Sequence, residues 1–119
     1  MPVPSALGYD VKSTNVPTCI GLYDVHAIAA GGEHSMALLN NGQVYVWGHN
    51  NDGQLGLGSV GFESSLVSPT LVPGLTNVVA IAAGHRHSLA LCGDGTVWQW
   101  GWLSFSASDD IVTNRPMRV

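Results

Sequence analysis

The sequence predicts an all-β protein built from repeated sheets of four antiparallel strands, and three observations support this prediction. First, residues 28–48 and 81–101 align without gaps at an offset of 53, with 12 of 21 paired residues identical. Second, each copy holds a turn between two apolar runs, Asn41-Gly42 and Asp94-Gly95. Such turns are strong hairpin signals, because a tight turn needs positive φ at its central residues. Third, glycine occurs 15 times and only 10% of residues are charged, which suits sheets covered on both faces.

Each copy contains three short predicted strands in the same order. The first is an apolar run ending in glycine, VHAIAAG or VVAIAAG, and the second is HSMALL or HSLALC. The third follows the turn, as QVYVWG or TVWQWG. A proline-containing segment supplies a fourth strand and occurs as VPTCI (16–20), SPTLV (68–72) and RPMRV (115–119). Proline favours an edge strand, where no ladder donor is lost.

Four short strands in about 50 residues are typical of a β-propeller blade. We therefore expect about two blades of four antiparallel strands, which form a partial propeller. The predicted division is an N-terminal segment over 1–15, a first repeat over 16–68, and a second repeat with the first strand of a third over 69–119. Repeats bury their faces only against neighbours. We expect either a fragment of a longer propeller protein or a chain that self-associates through its exposed blade faces.

Composition and charge exclude several classes of partner. The net charge is −4 and there is no basic patch, so we expect no direct binding of nucleic acid. No apolar run approaches the roughly 18 residues of a membrane span, and the first residues do not resemble a secretory signal. These features predict a cytoplasmic protein without a membrane partner. Cys19 and Cys92 do not form a disulfide framework.

The repeated motifs carry a resemblance to a known family. A-A-G-x-x-H-S-x-A-L stands at 29–38 and 82–91, followed by G-x-V-[YW]-x-W-G at 42–48 and 95–101. N-x-x-G-Q-L-G follows at 50–56, and the second copy lacks this element. Together these motifs resemble the repeat of the regulator of chromosome condensation family. The resemblance implies a seven-bladed propeller whose founding member exchanges nucleotide on a small GTPase and sits on nucleosomes. Many other relatives are adaptors or regulators.

The adjacent pairs His34-Ser35 and His87-Ser88 suggest a nucleophilic site. A nucleophilic serine needs a base that reaches its hydroxyl, but neighbours on one strand point to opposite faces. Recurrence in both copies also favours a structural role, in which each histidine binds the backbone at the corner between glycine turn and strand. We predict no catalytic residue, and a structural motif comprising Gly31, His34, Ser35, Trp47, Gly48, Gly84, His87, Ser88, Trp100 and Gly101.

Metal and phosphate sites are not predicted. The five histidines lack the tight, ordered Cys/His spacing of a zinc site. The run Gly53–Gly58 has no Gly-Lys-Ser/Thr and no helix start after it, so it is interpreted as a connecting turn. We therefore expect neither a metal nor a cofactor.

The segment after Gly101 differs from its counterpart and is the predicted partner-binding loop. Gly101 is expected to end the third strand, so that Trp102 opens a shortened loop containing Phe105, Asp109 and Asp110. Exposed aromatic residues beside charges are common anchors of protein interfaces. Trp47, Trp98 and Trp100 are instead expected to lie in the blade core.

These observations predict a non-catalytic propeller module that binds a protein partner, of regulatory or adaptor type. One alternative is guanine-nucleotide exchange on a small GTPase, which would require a loop inserted into the nucleotide site. Another is a fragment that is inactive by itself. A third is a hydrolase that uses histidine and serine.

Overall fold

A computed structural model of the chain describes residues 20–61, 65–104 and 110–119. These residues form eight strands and two four-stranded antiparallel sheets, with strand orders β1-β2-β3-β4 and β5-β6-β7-β8. The expected all-β fold with sheets of four antiparallel strands is confirmed. The strands are β1 Val25–Ala30, β2 His34–Leu39, β3 Val44–Gly48, β4 Leu66–Leu71, β5 Val78–Ala83, β6 His87–Cys92, β7 Val97–Ser104 and β8 Asp110–Arg118.

The fourth strand of each sheet contains one of the predicted proline segments. β4 carries Pro69 and β8 carries Pro116, and both strands lie at a sheet edge. An edge strand has a neighbouring strand on one side only. Proline, which has no backbone N–H, can therefore stand there without removing a hydrogen bond from the sheet. Each sheet is thus completed by the segment with which the next repeat of the sequence begins. The division of the chain at 15/16 and 68/69 stays a prediction.

The two hairpin turns have a simpler geometry than the sequence suggests. Leu39 and Gln43 close a three-residue loop, in which the Gly42 amide donates to the Leu39 carbonyl at 3.0 Å. Gly42 and Gly95 have φ of 86° and 90°, whereas neither Asn41 nor Asp94 has positive φ. The expectation of positive φ at both central residues was wrong. A type I turn followed by one left-handed residue needs glycine at that last position alone.

The core lies between the two sheets. We call the face that carries His34 or His87 the front face of its sheet, and the face that carries Ser35 or Ser88 the back face. The front of the first sheet packs against the back of the second, and β5 contacts both β1 and β2. The fully buried members of this core are Met36, Leu38, Val44, Val46, Leu55, Val72, Ala90 and Trp100. Successive side chains of a strand point to opposite faces of the sheet, so one strand can pack against a neighbour on each face.

Candidate functional site

The histidine of the first His-Ser pair forms its hydrogen bond with the other sheet. The Nε2 of His34 lies 2.8 Å from the Oγ of Ser88, and these residues are 3% and 0% exposed. Ser88 donates its hydroxyl to the backbone carbonyl of Gln54 at 2.9 Å. The partner of Nε2 is thus a serine 54 residues further along the chain, and the backbone bond expected of each histidine stays a prediction.

These bonds determine where the imidazole proton lies. Ser88 has one hydroxyl hydrogen and gives it to Gln54, so its oxygen accepts a bond from the Nε2–H of His34. Burial, with a smaller contribution from the charge of His87, lowers the pKa of His34 from 6.5 to about 4. The ring is therefore neutral at pH 7. A general base must present an unprotonated nitrogen to the serine hydroxyl. This histidine presents N–H, and the pair is built as a structural bond.

The indole of Trp100 binds the same carbonyl. Trp100 is fully buried, and its Nε1–H donates to the Gln54 carbonyl oxygen at 2.8 Å. That oxygen therefore accepts two hydrogen bonds, from Ser88 and from Trp100. We name His34, Gln54, Ser88 and Trp100 the inter-sheet lock, because two members come from each repeat and every bond crosses between them.

Gln54 is a member of this site that the sequence does not predict. Its loop was interpreted as a simple connecting turn, and the acceptor is a backbone atom that any residue would carry. The signal in the sequence is the motif N-x-x-G-Q-L-G at 50–56. Its residues Asn50, Gln54 and Leu55 are all fully buried in the structure. The Asn50 side chain organises the loop by accepting from the Leu55 amide at 3.1 Å and donating to the Ser59 carbonyl at 2.9 Å.

Glycine 31 lies where the two sheets meet. A Cβ at this position would collide with the Gly84 carbonyl of the second sheet and with the ring of His34. A Cβ at Gly84 would likewise collide with the ring of His87. The amide of Gly32 reaches the Gly84 carbonyl at 3.2 Å. The absence of a side chain thus permits the close approach of backbone and imidazole that the lock requires.

The remaining members of the predicted motif occupy equivalent places in the two sheets. His34 pairs with Gly48 across β2 and β3, as His87 pairs with Gly101 across β6 and β7. Ser35 pairs with Trp47, and Ser88 pairs with Trp100. Ser35, Trp47 and His87 are only half-buried. The structure therefore brings His34, Ser88 and Trp100 together, whereas their counterparts lie on the outward faces of the pair of sheets.

Trp102 lies in a strand, so the expectation that Gly101 ends it was wrong. β7 continues to Ser104, and Trp102 pairs with Val112 of β8. The Arg86 guanidinium lies 4.8 Å from the centre of the Trp102 ring. Its Nε is 3.8 Å from the Asp52 carboxylate of the first repeat. This geometry allows a cation–π contact and joins both repeats at one end of the sheets.

The other predicted residues of this segment are only partly covered by the structure. Asp110 begins β8, while Phe105 and Asp109 lie outside the described residues. We call the end of the sheets that carries Asp52, Arg86 and Trp102 the loop rim. The opposite end, the turn rim, carries the hairpin turns at 40–42 and 93–95.

A groove of about 460 Å³ runs between the hairpin turns at the turn rim. Asn40, Asn41 and Asn77 contribute amides to it, together with Asp94 and Trp98. Asp94 accepts from the amide and hydroxyl of Thr96 at 2.9 and 2.6 Å, and these bonds lower the pKa of its carboxyl. The carboxylate is thus committed to shaping the turn.

The rest of the described chain shows no further chemistry of this kind. Within residues 20–61, 65–104 and 110–119, no three His, Cys, Asp or Glu side chains cluster closely enough to hold a metal ion. The same ranges contain no helix that is long and apolar enough to span a membrane.

Comparison with known sequences places these features in a family. The pattern described as the Regulator of chromosome condensation (RCC1) repeat matches residues 41–91, and a second pattern of the same description matches 25–54 and 78–105. Protein pim1 of Schizosaccharomyces pombe is 37% identical over 90 residues, which cover 66% of this chain and 17% of that protein. The human Regulator of chromosome condensation is 36% identical over 111 residues, which cover 89% of this chain and 25% of the relative.

A solved structure supports the same placement. The crystal structure of Prp20p from Saccharomyces cerevisiae, described with its binding properties to Gsp1p and histones, superimposes with a TM-score of 0.68 at 26% identity. The match covers 83% of this chain and 27% of that one. The chain thus spans about a quarter or less of the length of these relatives.

Proposed function

The chain belongs to the regulator of chromosome condensation repeat family, its two sheets are propeller blades, and we propose that it is a non-catalytic module that binds a protein partner. The inter-sheet lock supports the absence of catalysis, because its serine and histidine are buried and bound to each other. The cytoplasmic location expected from the sequence stays a prediction.

We place the partner surface at the loop rim. The observation that carries this choice is the ordered group of Asp52, Arg86 and Trp102, in which one arginine contacts both an aromatic ring and a carboxylate. Tryptophan and arginine are enriched among the residues that dominate binding energy. A group already held in place loses less conformational freedom on binding. Trp102 is thus the proposed anchor, and the roles of Phe105, Asp109 and Asp110 in binding stay predictions from the sequence.

The charge of the module favours a partner with a basic surface. Its net charge is −4 at pH 7, and complementary charge accelerates association and selects among partners. Histones, which Prp20p binds according to its description, provide a suitable basic probe.

Binding of core histones and of Gsp1p to the chain, measured by biolayer interferometry, would test the surface. We expect Trp102→Ala to weaken binding about thirtyfold or more, since an aromatic anchor buried in an interface contributes at least about 2 kcal/mol. Asn41→Ala is the matched control, because Asn41 is exposed at the turn rim. Failure of both probes to bind, or an equal loss in both variants, would contradict the proposal.

Nucleotide exchange on a small GTPase is the second candidate function. It is favoured by the similarity to Prp20p, whose structure is described with its binding to Gsp1p. Release of a fluorescent guanine nucleotide from Gsp1p distinguishes the two candidates. Our proposal predicts an unchanged release rate when the chain is added, and acceleration would establish the exchange function instead.

A further inference from the structure

An apolar groove of about 210 Å³ lies on the front face of the second sheet, away from the first sheet. The front-face residues that line it are Ala80, Ala82, Leu89, Leu91 and Val97. They belong to one face because Ala82 pairs with Leu89, Ala80 with Leu91, and Leu91 with Val97. Leu91 remains 38% exposed.

The same groove exists on the first sheet, where it is filled. At the repeat offset of 53, the five lining residues correspond to Ala27, Ala29, Met36, Leu38 and Val44. All five belong to the core between the sheets, and Ile81 of β5 packs against that core. Ile81 pairs with Ala90 on the back face of the second sheet. The second repeat therefore packs an isoleucine against the core on the front face of the first sheet.

The counterpart of Ile81 in the first repeat is an unused apolar side chain. Ile28 stands 53 residues earlier and pairs with Ala37 on the back face of the first sheet. It is 77% exposed, which is unusual for an isoleucine in a strand. The chain therefore carries both halves of its internal contact a second time, as an empty groove at one side and an exposed isoleucine at the other.

We propose that a second copy of this chain docks head to tail, with its Ile28 in the front groove of the second sheet. The polar part of the contact repeats as well, because His87 then faces Ser35 of the second copy as His34 faces Ser88. The backbone bond from Val78 to the Gly42 carbonyl, at 3.2 Å, has Val25 and Gly95 as its counterparts. Since the second copy of the motif lacks N-x-x-G-Q-L-G, the Gln54 carbonyl has no matching counterpart, and this contact is weaker than the internal one.

This contact goes beyond the proposed function and does not depend on it. It uses the lateral faces of the two sheets, whereas the proposed partner surface lies at the loop rim. A head-to-tail contact is heterologous, so it closes into a ring or continues as an open array.

Sedimentation velocity over a range of concentrations would test the proposal. We expect the 12.5 kDa chain to form larger species reversibly, and Ile28→Lys or Leu91→Lys to raise the apparent dissociation constant about tenfold or more. Tyr23→Lys is the control. Tyr23 is 74% exposed, and its counterpart Thr76 stays exposed in the internal contact. Circular dichroism confirms that each variant is folded.

Mixing the two lysine variants separates this geometry from a symmetric contact. Ile28→Lys keeps the groove and Leu91→Lys keeps the isoleucine, so an equimolar mixture should form dimers of twice the chain mass while each variant alone stays monomeric. Three outcomes would overturn the proposal: a wild type that is monomeric at every concentration, variants that associate like the wild type, or a mixture that stays monomeric. Loss of association in Tyr23→Lys would also reject the assigned register.

Discussion

The two repeats carry the same His-Ser and Trp-Gly pairs, but these pairs are buried to different extents. Trp100 of the second repeat is fully buried, whereas its counterpart Trp47 is half-buried. The first repeat connects its third and fourth strands through residues 49–65, and the second uses only 105–109. The lock needs the histidine and the longer connection of one repeat, and the serine and tryptophan of the next. His34, Ser88 and Trp100 therefore stabilise the junction between the two repeats, whereas their counterparts in the other repeat lie on outward faces.

The largest expected effect comes from removing the two equivalent tryptophans in separate variants. Trp100→Ala should lower the free energy of unfolding by about 3–5 kcal/mol, since it leaves a large cavity and removes a donor to Gln54. Trp47→Ala should cost about 1–2 kcal/mol, because its side chain is only partly removed from water. Urea denaturation followed by circular dichroism measures both. Equal losses would show that the junction does not distinguish the two repeats.

A smaller effect is expected from Gly56→Ala, which changes the first-repeat loop where it contacts the Trp100 indole. Gly56 has φ of 72°, and an added Cβ would lie 2.7 Å from the Trp100 Nε1. The backbone strain costs about 1–2 kcal/mol and the crowding about 1–3 kcal/mol more. Gly95→Ala is the matched control, because Gly95 has φ of 90° and nothing lies within 4 Å of the added atom. If thermal denaturation shows the same loss in both variants, Gly56 does not act through the indole.

The smallest effect is a pH dependence of stability that His34 should produce. The pKa of His34 falls from 6.5 to about 4 on folding. Between these pH values the imidazole is therefore protonated in the unfolded state and neutral in the folded state. Stability should therefore decline as the pH falls from 6.5 to 4 and level off below 4. We expect about 2 kcal/mol, less than the roughly 3 kcal/mol of the full shift, because water and relaxation reduce the penalty.

Substitutions by glutamine isolate this contribution. His34→Gln keeps an N–H donor near Ser88 but does not titrate, so the difference in unfolding free energy between wild type and variant should shrink towards pH 4. His26→Gln is the control, because His26 is exposed. A constant difference between wild type and His34→Gln across this range would show that His34 does not account for the pH dependence.

The strands and their grouping into antiparallel sheets of four could be predicted because they depend on local patterns. Alternating apolar residues, glycine turns and edge prolines act within a few residues of each other, and the repeat shows the same pattern twice. The partner of His34 could not be predicted, because Ser88 is 54 residues away and its position depends on how the sheets pack. The extension of β7 past Gly101 was missed for a related reason. The pairing of Trp102 with Val112 depends on β8, and no local pattern around Gly101 indicates that partner strand.

The offset between sheets and sequence repeats has a consequence for recombining these units. Each sheet takes its outer strand from the segment that starts the next repeat, so an exchange of modules at the boundary 68/69 would cut through β4. A crossover in the exposed stretch 73–74, between β4 and β5, would instead transfer a sheet with its hydrogen-bonded edge intact. The segment that a chimera should exchange is therefore the structural sheet, which is shifted by one strand from the repeat seen in the amino-acid sequence.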